Sequence, residues 1–424
     1  MIKISRRSVT KGFAGLCATG LLPNVAFTKS SGKVVIIGGG AGGATVARYL
    51  KKDAPELDVT LVEMQKTYTT CFFSNWYVGG FRTMEQITHS YSKLINDYGV
   101  NVIHAKATDV DTAARNVTLE DGTILGYDKL VLSPGIDFRF DAIEGYDEEV
   151  AEKLPHAYKA GPQTKLLHDQ VRAIPQGGTF MMIAPPNPYR CPPGPYERIS
   201  LIAYYLSQNN PTAKITILDP KPKFSKQALF EEAWDKYYGG MIEWISQDFT
   251  DGAIVRVDAA AMEAETAAGD VYSADAINVI PPQKAGIIAE RAGVTNETGW
   301  CPVIPETFAS TIAKHVYVLG DSSIASAMPK SGFSANSQAK NVAAAIRATL
   351  VGSKKFPSRF NNTCWSLLTP EDTIKVGASY TAGETAVEKV SGFISQTGEE
   401  SATRKAATDE AIAWYAAITS DMFG

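Results

Sequence analysis

The sequence predicts an α/β protein with two Rossmann-like, three-layer domains of the dinucleotide-binding type and a small α+β domain at its C-terminal end. The first observation is a short apolar run that leads directly into a glycine-rich turn beginning at Gly38. The second is a similar strand–helix–strand pattern that recurs in the middle of the chain. The third is the length of 424 residues, which favours two or three domains because a chain this long exceeds the usual size of a domain with one hydrophobic core.

The composition and charge exclude several classes of protein. Hydrophobic residues make up 45% and charged residues 20%, a balance typical of a folded globular chain rather than a disordered one. The net charge of −4 and the lack of a basic block beyond the N-terminus argue against a nucleic-acid partner. No apolar run approaches the roughly 20 residues that span a bilayer, so we expect no stable membrane insertion. No cysteine pair has metal-ligand spacing, so we expect no metal site.

Residues 1–30 have the form of a twin-arginine signal peptide. Arg6 and Arg7 precede a weakly apolar stretch from Gly12 to Phe27 that ends in small residues. This order predicts export to the periplasm. The alternative is a basic surface segment on a cytosolic protein.

The start of the first domain, predicted to comprise residues 31–145 and 286–355, has the order of a dinucleotide-binding βαβ unit. An apolar strand is followed by glycines, a helix and a second strand ending in an acid. In such a unit Gly38 turns the chain, Gly40 lets the backbone approach a pyrophosphate, and Gly43 packs the helix on the strand. Glu63 lies where a carboxylate binds a ribose hydroxyl.

Two later segments complete this domain. One strand begins near Tyr127 and ends in a turn at Gly135, and another ends in Gly320 and Asp321 before an alanine-rich helix from about Asn336 to Leu350. Both resemble the second and third FAD signatures of the flavin-dependent disulfide-reductase superfamily. The resemblance implies domains of the FAD/NAD(P)-binding type, with the Asp321 carboxylate holding the ribitol. The alternative for Asp321 is a helix N-cap.

Residues 146–285 are predicted to form a second, degenerate NAD-binding-like domain. Residues 179–184 and 214–219 are typical of strands, and residues 199–206 are typical of a helix. The turn between them, residues 185–197, is rich in proline. Proline lacks the N–H groups that bind a pyrophosphate, and its ring prevents close approach. We therefore expect that the nicotinamide site is lost and that electrons do not come from NAD(P)H.

Two cysteines indicate the chemistry of the site. Cys191 lies inside the proline-rich turn, and Cys364 lies in an Asn-Asn-Thr-Cys-Trp-Ser segment. This arrangement resembles the sulfide:quinone reductase and flavocytochrome c sulfide dehydrogenase family. The resemblance implies that Cys191 and Cys364 form a redox disulfide facing FAD, which sulfide attacks to leave a persulfide and a thiolate. The alternative is a stabilising disulfide between domains.

Other candidate residues carry secondary roles. The resemblance implies that Cys71 binds FAD covalently as an 8α-thioether; the alternatives are a buried free thiol and membership of a redox disulfide. Glu197 either transfers protons to or from the sulfide or persulfide, or is a solvated carboxylate at a helix N-terminus. Lys330 either stabilises charge on the reduced flavin or is a surface lysine. We expect Cys301 to be buried and inert.

The leading hypothesis is a sulfide dehydrogenase flavoprotein. Residues 356–424 are predicted to form a small domain that covers the flavin or makes an interface. The chain has no Cys-x-x-Cys-His motif, so the resemblance implies that haem c is held only by a c-type cytochrome partner in a heterodimer. The alternatives are a sulfide:quinone reductase, an NAD(P)H-dependent disulfide or persulfide reductase, a non-catalytic flavin-binding interaction protein, and a flavoprotein of a thiosulfate-oxidising system.

Overall fold

A computed structural model describes residues 32–424 of the chain. The segment predicted to be a twin-arginine signal, residues 1–30, lies outside the described residues. Within residues 32–424, no helix is both long enough and apolar enough to cross a membrane.

The first domain is built on a five-stranded parallel sheet. Its strands are nearly continuous apolar runs because helices and a second sheet cover both faces. In spatial order they are Val316–Val318, Lys129–Leu132, Lys33–Ile37, Asp58–Val62 and Asn101–Ile103.

Helices and a small antiparallel sheet form the outer layers of the first domain. The helices Gly43–Asp53 and Gly332–Leu350 pack against each other. The opposite layer is the antiparallel meander Ala107–Asp111, Asn116–Leu119 and Ile124–Gly126. Shorter elements complete the domain: the strands Thr67–Thr69 and Thr88–Ser90 and the helices Ser74–Val78 and Ser92–Asn96.

The second domain repeats this arrangement on a smaller scale. Its parallel sheet has the spatial order Ile242–Ile245, Lys214–Leu218, Thr179–Ile183 and Ala276–Val279. Its main helices are Pro162–Ala173, Gly194–Asn209 and Gln227–Tyr238. Its antiparallel layer is Ile254–Asp258, Glu263–Thr266 and Val271–Ser273. The antiparallel pair Ile136–Phe138 and Gln283–Ala285 carries the chain into this domain and back.

The C-terminal region consists of three long antiparallel strands and a terminal helix. The strands are Arg359–Thr369, Asp372–Ala382 and Val387–Ile394, and the helix is Ser401–Phe423. The first strand packs on Gly194–Asn209 and on Gly332–Leu350, so this sheet contacts both Rossmann-like domains.

Two helices begin earlier than the sequence predicts. The helix predicted from Asn336 begins at Gly332, because Ser331 caps it by accepting a hydrogen bond from Ser334 N at 3.0 Å. The helix predicted from residue 199 begins at Gly194, because prolines are tolerated in a first turn, where their missing N–H has no helical partner. Glu197 therefore lies in a helical first turn rather than in a loop.

Candidate active site

A cavity of about 620 Å³ lies where the two Rossmann-like domains meet the C-terminal sheet. Most of the predicted site residues line it, although they are widely separated in sequence. They are Gly38, Gly40, Glu63, Cys71, Gly135, Cys191, Glu197, Gly320, Asp321 and Cys364. Gly43 and Lys330 are the two predicted residues that lie outside its lining.

The glycine turn at the head of helix Gly43–Asp53 forms one end of the cavity. Gly38 has φ of 99°, and a Cβ there would lie 2.3 Å from the Ser133 carbonyl oxygen, so only glycine fits. A Cβ on Gly43 would lie 1.9 Å from the Gly38 carbonyl oxygen, so this helix approaches its strand closely. The Glu63 carboxylate accepts hydrogen bonds from Gly39 N at 2.7 Å and Gln65 N at 2.9 Å.

Asp321 follows the edge strand Val316–Val318 and lines the cavity. One carboxylate oxygen, Oδ2, lies 3.5 Å from Arg190 Nη1. The other, Oδ1, is buried and has no hydrogen-bond partner among residues 32–424, and the same holds for Arg190 Nη2. Buried polar atoms rarely stay unpaired, so these two atoms indicate a ligand with hydroxyl or other polar groups at this position.

Cys71 lies on the cavity wall just after the strand Thr67–Thr69, partly exposed to the cavity. Its carbonyl oxygen accepts hydrogen bonds from the backbone N–H and the hydroxyl of Ser74. The Arg190 guanidinium lies close enough to Cys71 and Asp321 that their charges raise its pKa, although burial acts in the opposite direction.

Cys191 and Cys364 reach the cavity from different domains. Cys191 precedes the helix Gly194–Asn209 and has φ of 54°, a left-handed conformation that non-glycine residues rarely adopt. Its N–H donates to the Lys330 carbonyl oxygen at 2.8 Å, and its carbonyl accepts from Gly194 N at 2.8 Å. Cys364 lies in the middle of strand Arg359–Thr369.

Every cysteine of residues 32–424 is a free thiol in this structure. Burial is the main cause that raises the pKa of the Cys191 thiol, and the charge of Cys364 is the next. Both cysteines line the same cavity. Cys301 is buried away from the cavity, and burial raises its pKa to about 12, which is consistent with an unreactive thiol.

Glu197 joins all three parts of the molecule. Its carboxylate accepts hydrogen bonds from Asn75 Nδ2 at 2.8 Å, Trp76 Nε1 at 3.3 Å and Leu367 N at 3.1 Å. Burial raises the pKa of this carboxyl, although the three donors act in the opposite direction. Glu197 is therefore a held group at the cavity wall and not the solvated carboxylate of the alternative interpretation.

Lys330 does not point into the cavity. Its ammonium donates to the carbonyl oxygens of Asp321 and Ser323 at 2.7 and 2.8 Å and lies 3.8 Å from the centre of the Trp300 ring. Burial lowers its pKa to about 8. The ammonium is therefore not that of an open surface lysine, and its effect on a reduced flavin stays a prediction.

Two further residues lie near the cysteine pair and were not predicted from the sequence. Lys226 is 7% exposed, and its ammonium donates to Ser366 Oγ at 2.7 Å near Cys364. The Tyr158 hydroxyl is buried without a hydrogen-bond partner among residues 32–424, and it lies beside Cys191. A Lys-Pro-Lys-Phe-Ser-Lys segment is typical of a surface loop, so no local signal distinguishes Lys226.

The second domain uses its own strand-end carboxylate internally. Asp219 ends the strand Lys214–Leu218, where a ribose-binding acid would lie in a βαβ unit. It accepts hydrogen bonds from Tyr196 Oη at 2.6 Å, Trp244 Nε1 at 3.0 Å and Lys221 Nζ at 2.7 Å. The Phe224 ring stacks on Tyr196 at 3.7 Å between centroids, so aromatic side chains fill the surrounding space.

The fold and the cavity define a class, the oxidoreductases with two dinucleotide-binding domains. Residues 32–170 match the family model of pyridine nucleotide-disulphide oxidoreductases. Residues 164–281 match the central domain of the sulfide dehydrogenase [flavocytochrome c] flavoprotein chain, and residues 357–423 match the flavin-binding domain of flavocytochrome c sulphide dehydrogenase. The chain therefore belongs to the family of flavocytochrome c sulfide dehydrogenase flavoprotein subunits, within the sulfide:quinone reductase and pyridine nucleotide-disulfide oxidoreductase superfamily.

Individual relatives support this assignment. The sulfide dehydrogenase flavoprotein chain of Chlorobaculum thiosulfatiphilum is 54% identical over 43 residues, which are 10% of this chain and 90% of that sequence. The sulfide-quinone reductase of Aquifex aeolicus is 30% identical over 31% of both chains. The mitochondrial sulfide:quinone oxidoreductase of Dictyostelium discoideum is 23% identical over 70% of this chain and 66% of its own length. The chain thus spans less than two thirds of the length of these two reductases.

Solved structures share the fold over nearly the whole chain. The sulfide:quinone oxidoreductase of Aquifex aeolicus superposes with a TM-score of 0.73 at 19% identity, covering 92% of this chain and 91% of that one. An NAD-dependent persulfide reductase from A. fulgidus superposes with a TM-score of 0.63 at 16% identity, covering 89% and 77%.

Proposed function

We propose that this protein oxidises sulfide to sulfur or polysulfide through a Cys191–Cys364 redox disulfide and FAD, and passes the electrons to a c-type cytochrome subunit. One observation carries the proposal: both cysteines line the same cavity as the dinucleotide-binding turn and the unpaired Asp321 oxygen. This placement favours a redox role over a stabilising disulfide between domains.

The cavity fits a flavin dinucleotide. The glycine turn leaves room for a pyrophosphate at a helix N-terminus, and Glu63 lies at the strand end where a ribose hydroxyl is bound. The unpaired oxygen of Asp321 suits a ribitol hydroxyl. When bound, FAD supplies an acceptor for two electrons that can be passed on one at a time.

We propose Cys71 as the residue that binds FAD covalently. This thiol is on the cavity wall and is separate from the Cys191–Cys364 pair, which leaves it free for a thioether. Flavin should stay with the wild-type protein after acid precipitation, and it should be released from Cys71→Ser. Release from the wild-type protein as well would contradict the thioether.

The chain's own residues carry the sulfur chemistry. Sulfide attacks one sulfur of the disulfide as HS⁻, a persulfide forms on that cysteine, and the other cysteine leaves as a thiolate. Glu197, held by three donors at the cavity wall, exchanges protons with the entering sulfide or the departing persulfide.

The decisive experiment is an anaerobic visible spectrum of the purified protein before and after sulfide and, separately, NADH. We expect sulfide to bleach the flavin and NADH to leave it oxidised, because Asp219 is already used by three side chains. Bleaching by NADH alone would make the protein a pyridine-nucleotide reductase. No reduction by either donor would favour a non-catalytic flavin-binding protein.

The electron acceptor is proposed to be a c-type cytochrome in the periplasm. The support is the match of two regions to family models of flavocytochrome c subunits and the twin-arginine pattern at residues 1–30. Co-purification with a haem-stained subunit from a periplasmic fraction tests both points. Recovery of the protein only from the cytoplasm would contradict the location.

The second candidate is a sulfide:quinone reductase, favoured by the superposition on the Aquifex enzyme. It predicts that the protein floats with liposomes and reduces a short-chain quinone with sulfide. The cytochrome-linked enzyme should reduce cytochrome c with sulfide, but it should not float with liposomes or reduce the quinone.

A further inference from the structure

Lys226 is a buried cation close to the cysteine pair, and the reaction above assigns it no role. It precedes the helix Gln227–Tyr238 in a left-handed conformation with φ of 63°, and it is 7% exposed. Its ammonium donates to Ser366 Oγ at 2.7 Å, to Ile374 O at 3.3 Å and to Cys364 O at 3.4 Å. Among residues 32–424 no carboxylate lies within ion-pair distance of it, and a buried charge without a partner is costly.

The groups that face Lys226 and can carry a negative charge belong to the site itself. Cys364 has the strongest favourable effect on the ammonium, followed by Glu197 and Cys191, while Arg404 opposes it. Burial lowers the pKa of Lys226 to about 8, and three oxygen atoms accept hydrogen bonds from its ammonium.

The two cysteines differ in their surroundings. Burial raises the pKa of both cysteines, and Lys226 is the strongest influence that lowers each of them. Its effect is greater at Cys364 than at Cys191, and its ammonium contacts the Cys364 carbonyl oxygen at 3.4 Å. Asn362 Nδ2 lies 3.6 Å from the Cys364 sulfur. Glu197 acts on both cysteines in the opposite direction. The remaining titratable groups that face the pair are Arg190, Arg198, Tyr158, Tyr189 and Tyr380.

We infer that Lys226 is a positioning residue whose ammonium stabilises the negative charge on Cys364 when the disulfide opens, so that Cys364 leaves and Cys191 receives the sulfur. This inference rests on the proposed function. HS⁻ forms an S–S bond with Cys191 Sγ, the Cys191–Cys364 bond breaks, and its electron pair stays on Cys364 Sγ as a thiolate. The proton of HS⁻ remains on the persulfide. The better stabilised thiolate is the better leaving group.

The test measures the thiolate of Cys364 directly. In reduced protein with its flavin bound, alkylation by iodoacetamide is followed across pH, and labelling at each cysteine is resolved by mass spectrometry. We expect the midpoint for Cys364 to rise by about one pH unit or more in Lys226→Met and Lys226→Gln. Lys226→Arg keeps the charge and should restore most of the difference. The matched control is Lys129→Met, since Lys129 is 8% exposed and contacts His315 rather than the cysteines.

The outcomes separate this inference from the proposed function. An unchanged Cys364 midpoint in folded Lys226→Gln, whose amide can still bind Ser366, would make Lys226 a purely structural residue and overturn the inference. An equal rise in Lys129→Met would do the same. After one turnover with sulfide, a persulfide found on Cys364 instead of Cys191 would overturn the leaving-group assignment. If sulfide fails to bleach the wild-type flavin, the proposed function fails, while the alkylation midpoints still decide the charge effect.

Discussion

At the residue scale, the Glu197 carboxylate is held where the three parts of the molecule meet. Its position near a helix N-terminus suits a solvated carboxylate equally well from sequence alone. In the structure, two side chains of the first domain and a backbone N–H of the C-terminal sheet donate to it. A group held by three rigid donors at the wall of the reaction cavity is well placed to transfer protons.

Replacing Glu197 by glutamine should slow flavin reduction by sulfide by about 100-fold or more, because proton transfer is lost while the shape is kept. Stopped-flow spectroscopy measures the rate. Glu265→Gln is the control, since Glu265 pairs with Arg256 on an outer sheet. A rate within about twofold of the wild type would remove Glu197 from the proton path.

The raised pKa of Glu197 also predicts a pH dependence of stability. The folded state binds the Glu197 proton more tightly than the unfolded state does, so proton binding stabilises the fold. This stabilisation is fully present below the pKa that Glu197 has in the unfolded state, and it is lost as pH rises through its pKa in the folded state. Thermal unfolding should therefore show that Glu197→Gln gains stability relative to the wild type between acidic and neutral pH. A constant difference across that range would contradict the raised pKa.

At the element scale, the loop before helix Gly194–Asn209 determines where Cys191 lies. The loop is held by the hydrogen bond from Cys191 N to Lys330 O and by the turn that Gly194 closes. A Cβ on Gly194 would lie 3.0 Å from Cys191 Sγ and 3.2 Å from the Tyr158 hydroxyl. The small residue is needed because the thiol packs directly over it.

Substituting Gly194→Ala should displace the Cys191 sulfur by a few tenths of an ångström and slow reduction by sulfide about tenfold, with little effect on flavin content. The rate of disulfide formation in the reduced protein gives an independent readout. Gly126→Ala is the control, because its new Cβ would make only an ordinary contact at 3.6 Å. Unchanged kinetics would show that the Cys191 loop adapts freely.

At the scale of the whole molecule, the C-terminal region closes the site by joining both Rossmann-like domains. Asp421 pairs with Arg48 and Lys340 of the first domain. On the other side, the Arg404 side chain is 6% exposed and pairs with Asp372, Glu399 and Glu232 at 3.1, 2.8 and 3.1 Å. Glu232 belongs to a helix of the second domain, so this residue ties the terminal helix to that domain.

Arg404→Met should lower the free energy of unfolding by about 3 kcal/mol. This is the lower end of the cost of breaking a buried ion pair, and we expect it because the Glu232 carboxylate left unpaired is partly exposed to water. Hydrogen exchange should show the loss concentrated in residues 359–423. Lys405→Met is the control, since Lys405 forms only exposed pairs. Uniform exchange, or a change within about 0.5 kcal/mol, would show that apolar packing alone holds this region.

Much of the architecture followed from local sequence. Apolar strand runs, the glycine turn at Gly38 and the acid at the next strand end are short-range patterns, and each sets a local backbone conformation. The start of helix Gly332–Leu350 was missed because the cap that begins it, Ser331, is one serine among several. Helix ends depend on single hydrogen bonds, which periodicity does not register.

Local sequence patterns are enough to predict the two Rossmann-like units, the proline-rich turn that carries Cys191 and the family that the cysteines resemble. Long-range contacts, in contrast, hold Glu197, use Asp219 internally and bury Lys226 beside Cys364. The physical reason is that burial and charge pairing depend on residues far apart in the chain. Local patterns specify elements, whereas the electrostatics of a site arise only where those elements meet.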